Sequence, residues 1–297
     1  MIRVGLVGAG PWAGMFHAPM LTSAPDLELS AVWARRHEAA VGLAQRSGAV
    51  AAQTFDDLLE RCDAVAFCVP PDVQAALAPR AAAAGKHLLL EKPLAFSVAD
   101  AEAIAAAADA AGVVTQVLLT YRYTAQVREF VRAVDGTAVR HVRTAWIGGG
   151  ALTGSPFATP WRQAAGASLL DLGPHTLDLA VAVAGPVTEL LAAESGGVVT
   201  VTTAHAGGAT GHVALSGSTP GARGPLEGEA VTDAGRFVLA DPTPDPPGDV
   251  QCTIAAEFGR AVHGETAQSL DVHHGVRLQR LLSAVAQSVR TRRSVIP

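Results

Sequence analysis

The chain has 297 residues, 49% of them hydrophobic and 16% charged, with a formal net charge of −5. That length suits two domains or one large one, with enough apolar residues for a sizeable core. The acidic balance and the lack of a basic stripe exclude a nucleic-acid binder, and apolar stretches interrupted by charges exclude a transmembrane helix.

The three cysteines, Cys62, Cys68 and Cys252, show no metal-ligand spacing, and so low and odd a count points to a reduced, cytoplasmic setting. The one dense basic stretch, Arg290-Thr291-Arg292-Arg293, reads as cations at the end of a last helix.

The N-terminus leads into a strand over 2–7 rather than into a signal peptide. Gly8-Ala9-Gly10 turns the chain into a helix reaching about Leu21. A strand over 27–33, a helix from about His37 to Arg46, a short strand near Val50 and a helix at Asp56–Leu59 follow. The unbroken apolar run 64–69, stopped by Pro70-Pro71, has the pattern of a buried parallel strand. An alanine-rich helix over 73–84 ends at Gly85, the strand 87–90 leads to Lys92, a helix covers 97–111, and a strand over 113–119 completes the pattern. This alternation predicts a doubly wound parallel sheet, a Rossmann domain over 1–120.

The texture changes over 121–297, the second domain. A helix near 124–134 and a strand near 139–147 precede a Gly/Pro-rich loop, 148–166, and a helix over about 168–184. Strand-like runs at 187–193, 198–204, 210–216, 226–232 and 236–240 are separated by glycines. A loop at Pro242–Pro247 and helices at about 250–263 and 271–290 close the chain. Consecutive strands with short turns predict an antiparallel or mixed sheet, and so an α+β domain.

Three signals carry chemistry. In Gly8-x-Gly10-x-x-Ala13, between strand and helix, the first glycine permits the turn and the second lets a pyrophosphate approach the helix N-terminus. The second strand ends in Ala34-Arg35-Arg36, with no carboxylate until Glu38. An acid there would hold the ribose of NAD, whereas guanidinium groups pair with the 2′-phosphate of NADP, so NADP is preferred and NAD is the alternative.

The second signal is Glu91-Lys92-Pro93. Among 22 basic residues only Lys86 and Lys92 are lysines, and Lys92 follows a buried strand. A partly buried lysine can exchange protons where arginine cannot, and open parallel sheets bind ligands at such strand ends.

The third is Asp171-Leu172-Gly173-Pro174-His175-Thr176-Leu177-Asp178. On a helix, Asp171, His175 and Asp178 share a face, and histidine suits proton transfer near neutral pH. No metal set is indicated: His273 and His274 face different sides of a helix, and His205 and His212 fall on separate strands. No Gly-x-Ser-x-Gly elbow appears.

Together these residues resemble the Gfo/Idh/MocA oxidoreductases, named after glucose–fructose oxidoreductase and inositol dehydrogenase. The resemblance covers nearly the whole chain, including Val69-Pro70-Pro71, Gly85-Lys86-His87 and Trp161-Arg162. It implies a Rossmann domain followed by a domain with a large open, mainly antiparallel sheet that joins copies into a homodimer or homotetramer. It also implies NAD(P)-dependent hydride transfer at a carbinol or carbonyl carbon of a sugar, polyol or sugar derivative.

By the same resemblance Lys92 and His175 are the catalytic pair, with Asp171 beside them. Gly8, Gly10, Pro11, Trp12, Ala34, Arg35, Arg36, Val69, Pro70, Glu91 and Arg162 would hold the cofactor. Tyr121, Arg122 and Trp161 would border the substrate. The chain departs from the family pattern at Ala13 in place of the third glycine, Gln74 in place of a common histidine, and Thr120 in place of asparagine. Two other readings use the same scaffold: a non-catalytic cofactor-binding regulator, and a reductase of a non-sugar carbonyl or imine.

Overall fold

A computed structural model describes residues 1–155, 158–164, 166–222, 224–239 and 247–297. The chain divides into two compact units, Met1–Thr120 with Pro246–Val276, and Tyr121–Asp245 with Arg277–Pro297.

The first unit is built on six parallel strands: β1 (Ile2–Val7), β2 (Leu27–Trp33), β3 (Val50–Ala51), β4 (Ala64–Phe67), β5 (His87–Leu90) and β6 (Thr115–Val117). Their order is β3-β2-β1-β4-β5-β6. All four residues of β4 are buried, which is why an apolar run rather than an alternating one encodes it.

The helices between them are α1 (Ala18–Ser23), α2 (His37–Ser47), α3 (Phe55–Glu60), α4 (Pro71–Ala83) and α5 (Val98–Ala111). Short polar side chains start two of them: Thr54 accepts a hydrogen bond from the Asp57 amide at α3, and Ser97 from the Asp100 amide at α5.

The first helix departs from the sequence expectation of a plain α-helix. A π-helical turn, Ala13–His17, precedes α1. Pro19 has no N–H to give to the Met15 carbonyl and its ring crowds that group. The turn widens, and the Ala18 amide reaches back to Ala13 O.

By sequence, residues 121–297 form one domain; in the fold, residues 247–276 group with the first unit. Helix α8 (Pro247–Val262) donates from Gln251 Nε2 to Phe16 O (2.9 Å) and accepts at Ile254 O from Gln116 Nε2 (3.2 Å). The edge strand β6 is capped in the same way, by Val117 N to Leu270 O (2.7 Å). An edge strand leaves amides unpaired, and this returning segment satisfies them.

The second unit holds α6 (Ala125–Val134), α7 (Ala167–Ala184), most of α9 (Val272–Thr291) and six strands. These are β7 (Val139–Ile147), β8 (Val187–Ser195), β9 (Val198–His205), β10 (Thr210–Ser216), β11 (Glu227–Thr232) and β12 (Gly235–Val238). The order is β12-β11-β7-β10-β9-β8, and only the β10–β7 pair is parallel. The mainly antiparallel sheet is thus present.

Helix α7 lies along one face, anchored by Thr144 Oγ1 donating to Thr176 O (3.0 Å). Gly173 permits close packing on α9: a Cβ there would come within 2.7 Å of Leu282 Cδ2. The expected loop from Pro242 lies outside the described residues up to 246, as do Ala240 of the expected last strand and 156, 157 and 165 of the expected long loop. Among the described residues no helix is long and apolar enough to cross a membrane.

Candidate active site

In the first unit the site residues gather at one end of the parallel sheet. The glycine loop follows β1, Ala34-Arg35-Arg36 follow β2, Cys68-Val69-Pro70 follow β4, and Glu91-Lys92 follow β5. The strand order reverses between β1 and β4, and a crevice outside the carboxyl ends at such a switch point binds ligands.

Gly8 has φ of +113°, and an added Cβ would run into the Cys68 carbonyl. The conformation and the close approach therefore both require glycine. Gly10 is exposed, and a Cβ there would meet nothing within 4 Å. That open space beside the start of a helix fits a dinucleotide pyrophosphate. Pro11 is exposed, and Trp12 stacks on Phe16 with ring centroids 4.6 Å apart. Arg35 and Arg36 are both exposed, and Arg36 occupies the N-cap of α2.

Glu91 is the hub of this half. Its Oε1 accepts from Trp12 Nε1 (3.0 Å) and lies 2.8 Å from His17 Nε2, while Oε2 accepts from the Lys92 amide (3.2 Å). Burial would raise the Glu91 carboxyl, but His17, Lys92 and Trp12 hold it below the usual range. Burial would likewise push the His17 imidazole down, yet the nearby Cys68 sulfur and the Glu91 carboxylate raise it to about 10. The Lys92–Pro93 peptide is cis.

The loop carrying Lys92 is clamped by Gln74, which is fully buried. Gln74 Nε2 donates to Glu91 O and Leu94 O (both 2.9 Å), and Oε1 accepts from Glu91 N (2.8 Å). Neither Gln74 nor His17 stands out in the sequence as a site residue. Gln74 attracts notice only as a departure from a common histidine, and the clue to His17 is its place one helical turn past the glycine loop.

In the second unit α7 carries Asp171, His175 and Asp178, and each has its own partner. Arg162 Nε lies 3.1 Å from Asp171 Oδ2, and its guanidinium sits 5.0 Å from the Trp161 ring centroid. His175 is 4% exposed, with its ring 5.4 Å from those of Tyr121 and Trp146. Asp178 is buried, and Arg122 Nη1 donates to both of its oxygens (3.0 and 3.1 Å). Burial raises the Tyr121 phenol, which stays neutral. Arg122, read from sequence as bordering the substrate, thus anchors Asp178, and Arg162, read as a cofactor residue, pairs with Asp171. Trp146 was not singled out in the sequence and joins the site as the second ring against His175.

Two of the histidines weighed for a metal have other partners. His205 Nδ1 lies 2.7 Å from Gly185 O, and His273 Nε2 lies 2.9 Å from Asp109.

Residues 2–119 match the model of an oxidoreductase family with an NAD-binding Rossmann fold, GFO_IDH_MocA. Two curated relatives, both matched over 62% of this chain at 32% identity, are a dTDP-3,4-didehydro-2,6-dideoxy-alpha-D-glucose 3-reductase of Streptomyces violaceoruber and a D-glucoside 3-dehydrogenase of Escherichia coli. The matches cover 55% and 54% of those proteins. The chain spans between about a third and about half of the length of the curated relatives it matches (32%, 55% and 44% for three of them). Among solved structures, GenD2 from gentamicin A biosynthesis, in complex with NAD, has the same fold: the TM-score is 0.88 at 24% identity, covering 100% of this chain and 96% of that one. Over residues 2–119 the chain is thus similar to the NAD-binding Rossmann domain of the Gfo/Idh/MocA oxidoreductases.

Proposed function

We propose that the chain is an NADP-preferring oxidoreductase that moves a hydride between nicotinamide and a carbinol or carbonyl carbon of a sugar, polyol or sugar derivative. The observation that carries this reading is the convergence, at the switch point of one parallel sheet, of the open Gly10 turn, the exposed Arg35-Arg36 pair and the Glu91-Lys92 loop. The sugar reductase and glucoside dehydrogenase among its relatives support the substrate class.

The bound nicotinamide supplies the hydride acceptor or donor. Lys92 gives an N–H hydrogen bond to the reacting oxygen and stabilises negative charge developing there. His175 takes the hydroxyl proton in the oxidative direction and returns it in the reductive one. Asp171, one helical turn before His175, orients the imidazole or the substrate. Arg35 and Arg36 pair with the 2′-phosphate. Three free thiols support a reducing, cytoplasmic setting. Leu191 and Val238, about half exposed on the second sheet, support association of copies through that sheet.

The test is parallel titration of the protein with NADPH and NADH, followed by tryptophan fluorescence, and then a panel of sugars and polyols with Lys92→Met as control. Tighter NADPH binding that Arg35→Ala weakens about tenfold supports the cofactor reading. Equal or tighter NADH binding overturns the NADP preference. Turnover that survives both Lys92→Met and His175→Asn overturns the assigned roles, and binding without turnover of any substrate favours the regulator.

A further inference from the structure

The fold brings three metal-ligating side chains together that lie far apart in sequence: His17 from the π-helical turn, Cys68 from the end of β4, and Glu91 from the end of β5. One ligand atom from each lies within 4.8 Å of the other two. His17 is fully buried, and its Nδ1 is sequestered without a hydrogen-bond partner. We propose that His17, Cys68 and Glu91 form a binding site for one zinc-class divalent cation, and that the ion competes with Trp12 for the Glu91 carboxylate.

The donor set selects the ion. Imidazole, thiolate and carboxylate together suit zinc and its softer neighbours, whereas magnesium and calcium prefer oxygen ligands alone. Three protein ligands leave the fourth tetrahedral position open. Bonds of about 2.0–2.3 Å place tetrahedral ligands about 3.3–3.6 Å apart. His17 Nε2 and Glu91 Oε1, now 2.8 Å apart, would separate by about half an ångström as the proton between them leaves, and Cys68 would close in.

Trp12 Nε1 now donates to the same Glu91 Oε1 (3.0 Å), so the ion would displace a residue of the glycine loop. On the oxidoreductase reading above, binding of the ion and of the cofactor would then oppose one another, and the opposition would be reciprocal.

The experiment uses metal-stripped protein, with Zn²⁺ titrated against a chromogenic chelator and Co²⁺ as a spectroscopic probe. The expected result is one equivalent bound at micromolar affinity or tighter, with a thiolate-to-cobalt charge-transfer band and a change in tryptophan fluorescence. Cys68→Ser should abolish the band and weaken zinc at least about tenfold, with its fold checked by circular dichroism. Cys252→Ser, altering an exposed thiol, should leave both unchanged. His17→Gln adds a second ligand test, and the cobalt band of the wild-type protein stands without it.

Absence of stoichiometric binding overturns the proposal, as does a charge-transfer band that survives Cys68→Ser or vanishes with Cys252→Ser. These readouts need no cofactor or substrate, so failure of the oxidoreductase reading leaves them intact. Zinc binding without any effect on NADPH affinity would overturn only the antagonism.

Discussion

Replacing Gln74 by Met tests whether the clamp on the Lys92 loop is built from hydrogen bonds or from shape. Met nearly conserves volume, so the cavity contribution is small. The substitution strips partners from three backbone groups: Glu91 N, Glu91 O and Leu94 O. Leu94 O is buried, and an unsatisfied buried acceptor costs about 1–3 kcal/mol. The two Glu91 groups are part-buried and regain some hydration, at about 0.5–1 kcal/mol each. Burying a thioether in place of an amide returns about 1 kcal/mol.

The net expectation is a loss of about 2–3 kcal/mol, a large fraction of the stability of a typical domain. Urea denaturation followed by tryptophan fluorescence reads the loss, and faster hydrogen exchange at the Glu91 amide localises it. On the proposed function, turnover also falls, because the loop that positions Lys92 loosens. Stability within about 0.5 kcal/mol of wild type, with Glu91 amide protection unchanged, would refute the reasoning.

Asp178→Asn leaves Arg122 without its anionic partner and should cost about 2–4 kcal/mol; Arg122→Lys keeps the charge but loses the paired bonds from Nη1 and should cost less, both measured by urea denaturation. The two loop glycines should separate: Gly8→Ala, strained at positive φ and crowding Cys68, should destabilise by about 3 kcal/mol. Gly10→Ala should leave stability within about 0.5 kcal/mol of wild type while weakening NADPH in the fluorescence titration. Burial lowers the His87 imidazole below 6.5, and its Nδ1 accepts from the Val114 amide (3.0 Å). The unfolded chain therefore takes up this proton first, so the His87 contribution is complete above about pH 6.5 and is lost as pH falls through the lower folded value. His87→Gln should flatten the decline of stability over that acidic window.

Much of the first unit is legible in the chain because its signals are local. A strand buried on both faces must be continuously apolar, as in 64–67, and a tight turn into a helix must use glycine, as at Gly8. Helix starts at Thr54 and Ser97 follow from their side chains bonding to the next turn. The pattern of β7 to β12 predicts a sheet, but not that β10 and β7 run parallel, because pairing direction depends on connections far apart in sequence.

The sequence by itself determined the Rossmann alternation, the glycine turn, and the placement of Lys92 at a strand end and of Asp171 and His175 on one helix. These follow from nearest-neighbour sterics and from periods of two and 3.6 residues. Only the tertiary structure decided that 247–276 group with the first unit, that Arg122 Nη1 bonds Asp178, that Gln74 holds the Glu91–Leu94 backbone, and that His17, Cys68 and Glu91 converge. Each of these joins groups at least 17 residues apart, and what brings them together is the burial of polar groups that must find partners once water is excluded.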